Sequence, residues 1–211
     1  MPRIRVVGDC HGVFGMYKDI IAGVENSIQV GDLGFRYDQL KNVDPDVHKF
    51  FCGNHDNHDV APLWPHNLGK YGELNGGMFF VSGGFSIDRQ VREQMTPLWG
   101  KTYWKNEELS VKELKIATEL YIEARPEIML THEAPRSIIH RFTNGSILSK
   151  FGFDPATFTT RTSEALEIMF QKHQPKKWFF GHFHRNWSET IKGCKFRCLE
   201  EFGFEDIEVD F

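Results

Sequence analysis

The 211-residue sequence predicts an α/β fold. Five short β-rich apolar runs each end in a cluster of Gly, Asp, Asn or His, and segments with helical spacing lie between some of them. Continuous apolar runs bounded by glycine indicate strands buried on both faces. Strands alternating with helices indicate an α/β architecture. In such sheets ligands gather beyond the carboxyl ends of the strands, so five clusters distant in sequence can converge on one site.

Arg3 to Val7 is the first strand and runs into Gly8-Asp9-Cys10-His11-Gly12. Val13 to Val24 follows as a helix, stopped at Asn26-Ser27. Ser27 to Val30 leads into Gly31-Asp32-Leu33-Gly34, and Val47 to Cys52 into Gly53-Asn54-His55-Asp56. Ser110 to Ala124 is the clearest helix. Ser110 and Glu113 form a capping box, and Leu114, Ala117, Leu120 and Tyr121 recur at helical spacing. Ile128 to Leu130 leads into Thr131-His132-Glu133-Ala134-Pro135. Ser163 to His173 is a third helix, ended by Pro175. Trp178 to Phe180 leads into Gly181-His182-Phe183-His184. Glu189 to Phe196, Cys198 to Phe202 and Asp206 to Phe211 predict a second, antiparallel sheet, with Met78 to Val81 as a further candidate member. Phe85 to Asn106 and Arg136 to Thr162 lack periodicity and read as long loops, of the kind that form lids or carry small structures.

The length suits one domain, residues 1–211, with room for a sizeable core. A formal charge of -4 offers no basic face of the sort that tracks a phosphate backbone, so nucleic acid is not the expected partner. The apolar start is too short for a signal peptide or a membrane span, which leads us to expect a cytoplasmic protein with no membrane association. The four cysteines show no paired zinc spacing and are expected to stay reduced.

The clusters carry the chemistry. Asp9 and His11 are two apart in an extended segment and can point the same way, as can His182 and His184. Asp32 adds a carboxylate, Asn54 an amide oxygen and His132 an imidazole. This oxygen-and-nitrogen set lacks thiolate and suits Mn²⁺, Fe, Zn²⁺ or Co²⁺. Seven ligands exceed the need of one ion, and two divalent ions sharing a carboxylate resolve the excess. Two cations about 3.5–4 Å apart clamp an in-line displacement at phosphorus and bring the pKa of a bridging water toward roughly 7.

In order, the motifs GDxHG, GDxG, GNHD, TH and GHxH span Gly8 to His184. The series resembles the calcineurin-like metallophosphoesterase superfamily. That resemblance implies a four-layer αββα sandwich of two mixed β-sheets flanked by helices. It implies Asp9, His11 and His184 as ligands of one metal, Asn54, His132 and His182 as ligands of a second, and Asp32 as the bridge. Manganese is the first expectation for both. His55 is then the residue that contacts the phosphate and helps protonate the leaving group, with Asp56 orienting it. Asn54 joins His55 in holding substrate; Arg36, beside its motif, reads either as a further substrate contact that binds phosphate bidentately or as a surface charge.

Serine/threonine phosphatases of this superfamily carry GDxxDRG and RGNHE. Here Arg36 falls at the arginine's place, but the neighbouring aspartate and the arginine before GNH are missing. Small phosphoesters or nucleotides are therefore the first choice of substrate, a phosphoprotein the second and a nuclease the third. A non-catalytic scaffold ranks below these, because every ligand position and His55 are filled. Arg136 and Arg185 also flank motifs and are weaker phosphate candidates. Glu133 reads as a solvated carboxylate. His48, His58, His66, His140 and His173 read as core or surface residues. Trp64, Phe85, Trp99, Tyr103 and Trp104 read as packing under a lid, with base stacking as the second reading.

Overall fold

The apolar runs form strands at the predicted places. The computed structural model describes residues 3–143 and 145–209. Among them are strands β1 (Arg3–Val7), β2 (Ser27–Gln29), β3 (His48–Phe50), β4 (Tyr71–Leu74), β5 (Met78–Val81), β6 (Ile128–Thr131), β7 (Lys177–Phe180), β8 (Trp187–Ile191), β9 (Cys194–Cys198) and β10 (Phe204–Glu208). The helices are α1 (Phe14–Ile21), α2 (Arg89–Trp99), α3 (Val111–Ala124), α4 (Arg136–Phe142), α5 (Ser146–Lys150) and α6 (Arg161–Lys172).

Two mixed sheets result. The first has the order β10-β1-β2-β3, with β10 antiparallel at its edge. The second has the order β4-β5-β6-β7-β9-β8, parallel in its centre and antiparallel at both edges. Strand alternation explains why the runs are apolar throughout. Ile4 and Val6 face Phe80, Leu130 and Phe179 in the core between the sheets. Their neighbours Phe79, Met129, Trp178 and Phe180 point the other way, against Leu114 and Tyr121 of α3 and Leu166 and Phe170 of α6. Val7 and Phe50 pack against Phe14, Tyr17 and Ile21 of α1. The layers are thus helix, sheet, sheet, helix, as the resemblance implies.

The C-terminal strands depart from expectation. They form no antiparallel sheet of their own. Lys192 and Gly193 take positive φ (50° and 81°) and break the expected strand Glu189 to Phe196 into the β8–β9 hairpin, while β9 also runs parallel to β7. The expected strand Cys198 to Phe202 stops at Cys198, since Phe202 turns the chain at φ 59°, and β10 crosses to the first sheet. Its predicted end at Asp210 and Phe211 lies outside the described residues. Cys194 and Cys198 share the buried face of β9, and all four cysteines are free. The long segments are not structureless loops: they carry α2, α4 and α5. Pro97 inside α2 and the seven residues of α4 leave too little regular pattern to read. α6 starts at Arg161 rather than Ser163 and is capped by Thr160, with Ser163 returning the capping-box bond. Among the described residues no helix is long and apolar enough to cross a membrane.

Candidate metal centre

The carboxyl ends of β1, β2, β3, β6 and β7 open on one edge of the sandwich, and the loops there are laced together. Cys10 and His11 donate their amides to Asp32 O at 3.0 and 2.8 Å. His182 N donates to both Asp9 oxygens at 3.0 and 3.1 Å, and His55 N to Asp32 Oδ1 at 2.6 Å. His11, Asp32, His182 and His184 have left-handed backbones, with φ between 43° and 67°. Side chains rarely adopt that conformation outside sites whose surroundings enforce it. Gly53 and Gly181 are required by close approach. A Cβ on Gly53 would stand 2.6 Å from His132 Nε2 and clash with Asp32 Oδ1, and one on Gly181 would clash with Asp9 Oδ1.

Two donor groups emerge. Asp9, His11 and His184 form one, Asp32, His132 and His182 the other, each with ligand atoms within 4.8 Å of one another. In the first, His11 Nε2 and His184 Nε2 are 2.9 Å apart, and Asp9 Oδ2 is 3.2 Å from His184 Nε2. In the second, His132 Nε2 lies 3.2 Å from Asp32 Oδ1 and 3.0 Å from Asn54 Oδ1. Asp32 faces both, since its Oδ2 is 4.0 Å from His11 Nε2. The donors fit divalent cations. A neutral His132 donates Nδ1–H to Val30 O at 2.9 Å, which leaves the Nε2 lone pair facing two acceptor oxygens. Asn54 Nδ2 donates to Ser86 Oγ at 3.0 Å, so its Oδ1 is the atom turned inward. Lone pairs that converge in this way need a positive charge between them. In the metal-free chain a proton serves. Burial would lower the His132 imidazole, but the Asp32 carboxylate overrides it and pushes it up to about 10. Burial likewise opposes ionisation of Asp32, yet His132 holds it well below the usual carboxylate range. Burial and the His132 charge drive His182 well down. The bond to Asp9 raises His184.

No family model matches the sequence, and no curated protein matches it. Among solved structures, a dimetal phosphatase from Danio rerio superposes at TM-score 0.52 and 13% identity, over 97% of this chain and 91% of that one. This chain has the calcineurin-like phosphoesterase fold. A phosphopantetheinyl hydrolase from Mycobacterium tuberculosis matches at TM-score 0.48 and 12% identity, over 95% of this chain and 90% of that one. A predicted phosphoesterase from Streptococcus pneumoniae TIGR4 matches at 0.44 and 13%, over 99% and 83%.

On the calcineurin-like scaffold, all seven expected ligands and His55 meet at this edge. His55 stands with its ring centroid 5.2 Å from that of His11, and burial lowers its pKa. Asp56 takes another place. Among the described residues no hydrogen bond joins it to His55; it accepts from Asp32 N (2.8 Å), Gly53 N (2.8 Å), Gly34 N (2.9 Å) and Tyr37 Oη (3.0 Å), tying two motif loops together. Burial pushes it up to about 6. Arg36 does not line the cavity at the site. Its neighbour Tyr37 is buried, and the Arg36 side chain turns outward, 74% exposed and 3.7 Å from Asp38.

Glu133 is buried rather than solvated. Thr160 Oγ1 donates to its Oε1 at 2.5 Å, its Oε2 accepts no hydrogen bond from the described residues, and burial first, then Glu108, push its carboxyl up to about 8. Among the described residues Ser86, Glu107 and Arg92 form a support that the motif analysis missed. Ser86 Oγ accepts from Arg92 Nη1 at 2.6 Å and donates to Glu107 Oε2 at 2.7 Å. A signal existed: β5 followed by Ser82-Gly83-Gly84 repeats the strand-then-glycine grammar a sixth time.

A cavity of about 700 Å³ starts at Asp32, Asn54, His55, His182 and His184 and runs along α4 and residues 145–160. Arg136, Arg185 and His140 line it too. His58 and His66 instead bond backbone carbonyls, Gly53 O and Val43 O. Trp64 lies tilted against Tyr37, and Trp104 bonds Asp59, so these two aromatics serve packing.

Proposed function

We propose that this chain is a metal-dependent phosphoester hydrolase for small phosphoesters or nucleotides, with residues 1–211 acting as one cytoplasmic domain. The observation that carries the reading is the pair of donor groups with Asp32 facing both. Asp9, His11 and His184 would hold one divalent ion, Asn54, His132 and His182 the other, and Asp32 both. Mn²⁺ is the first choice, ahead of Fe, Zn²⁺ and Co²⁺. The dimetal character of the Danio rerio phosphatase supports two ions. When bound, such ions polarise phosphoryl oxygens and offset the charge that develops in displacement at phosphorus.

The chain's own groups do the rest. The cavity brings the phosphate against the donor edge, where His55 lies. Burial favours the neutral form of the free His55 imidazole. An anionic phosphate beside it favours the imidazolium, and that proton is then at hand for the leaving oxygen. Asp56 and the backbone amides it holds keep the Asp32 and Asn54 loops in register.

Hydrolysis of bis(p-nitrophenyl) phosphate and p-nitrophenyl phosphate, with Mn²⁺ and with chelator, tests the reading. Chelator-sensitive turnover of either supports it, and the preferred ester separates phosphodiesterase from phosphatase. No turnover with metal bound defeats it. Two variants sharpen the roles. His182→Ala is expected to lose metal and nearly all turnover. His55→Ala is expected to keep its metal by elemental analysis but to fall about 10²–10⁴-fold in kcat. A fully active His182→Ala would sink the assignment.

A further inference from the structure

The cavity has two unlike linings. Beside the donor edge its wall is apolar, built by Ile139, Ile147, Leu148, Phe151, Phe158 and Phe183. Ile147 is 48% exposed and Phe151 38%, so apolar surface stands open there. Such surface is unfavourable against water, and a ligand that covers it recovers that free energy.

The wall is braced in advance. Phe158 meets Phe85 edge-on at 5.6 Å and leans on Phe153 at 4.7 Å. Phe183 meets Phe142 at 5.1 Å and His182 at 4.9 Å, which joins the apolar wall to the donor edge through adjacent residues. Several of its polar groups already bond within the fold, while Arg185 and His140 line it as well. Thr143 Oγ1 donates to Ile139 O, Thr159 Oγ1 to Glu164, Thr160 Oγ1 to Glu133, and Ser163 Oγ to Thr160 O. Arg136 pairs with Glu164 at 3.2 Å. Further phosphates would meet Asp88, which also lines the cavity. A sugar or base would have to compete with the bonds these hydroxyls and Arg136 already make.

We propose that, given the phosphoesterase reading above, the substrate is a small phosphoester with a single phosphate and an apolar alkyl or aryl body, seated on this wall. At about 700 Å³ the cavity is sized for such a molecule, within the roughly 300–1,000 Å³ of small-ligand sites.

The test is a series of p-nitrophenyl phosphodiesters whose second group is methyl, butyl, hexyl or thymidine-5′-yl, assayed with Mn²⁺. All share one leaving group. We expect kcat/KM to rise about threefold to fourfold per methylene, and the hexyl ester to exceed the thymidine ester. In Phe151→Ala and Ile147→Ala the hexyl-to-methyl ratio should shrink. A flat or falling series, with the methyl ester hydrolysed, overturns the apolar substrate and leaves the phosphoesterase reading standing. If neither these diesters nor p-nitrophenyl phosphate is hydrolysed, that reading fails, and calorimetry decides the cavity alone. Hexyl phosphate binding more tightly than inorganic phosphate upholds the apolar wall; equal or weaker binding overturns it.

Discussion

At Asn54 one hydrogen bond decides which atom faces the donor edge. Nδ2 donates to Ser86 Oγ, and Ser86 is held in turn by Glu107 and Arg92, all buried. Ser86→Ala removes that anchor and lets the amide rotate. We expect the folded protein to persist by circular dichroism and to lose about 10–100-fold in metal affinity at the Asn54 group, measured by equilibrium dialysis. Unchanged affinity would show that Asn54 needs no anchor. Gly53→Ala acts differently, by forcing a methyl group against Asp32 and His132. It should destabilise by about 1–3 kcal/mol in chemical denaturation. The ligand types were legible because their spacing after strands is stereotyped. Ser86 and the true partners of Asp56 were not. Their contacts join segments 32 and 22–24 residues apart, and most of the Asp56 partners are backbone amides, which any residue supplies.

Elements differ in how far local chemistry determines them. In α3 both capping-box bonds are present, Ser110 N to Glu113 Oε2 at 2.8 Å and Glu113 N to Ser110 Oγ at 3.3 Å. Lys70 also pairs with Glu113, and that bond, followed by those from Ser110, lowers its carboxyl to about 2. The sign follows. The ionised carboxylate favours the fold, so its contribution is full above the unfolded pKa of 4.5 and is lost as pH falls toward about 2. Glu113→Gln should flatten the stability profile across that interval; because the group is near the surface, the difference should stay within about 1 kcal/mol. Ser110→Ala should cost about 1 kcal/mol at neutral pH. Both are read from denaturation midpoints. This helix was legible because its start signal lies within four residues. The β8–β9 hairpin was not, since Lys192-Gly193 is a weak turn signal inside a run that alternates like one strand.

Across the whole molecule, two sheets stacked face to face bring five strand ends to a single edge. The convergence was readable from the recurring strand-then-cluster pattern, whereas the crossing of β10 to the first sheet depends on pairings about 200 residues apart. If the donor groups bind cations only when folded, metal stabilises the chain by mass action. At a hundred times Kd, Mn²⁺ should add about 2.7 kcal/mol and raise Tm by roughly 5–10 °C, reversed by chelator in a thermal melt. An unchanged Tm would count against cation binding. The left-handed backbones of His11, His182 and His184 set a further condition on the same balance. Each costs roughly 1–2 kcal/mol outside glycine, against a total stability of only about 5–15 kcal/mol. Glycine at these positions would relax the chain while deleting the imidazoles. A laboratory selection for heat resistance alone would therefore drift toward sturdier proteins with no chemistry left, and only a screen that demands turnover would keep the histidines in place.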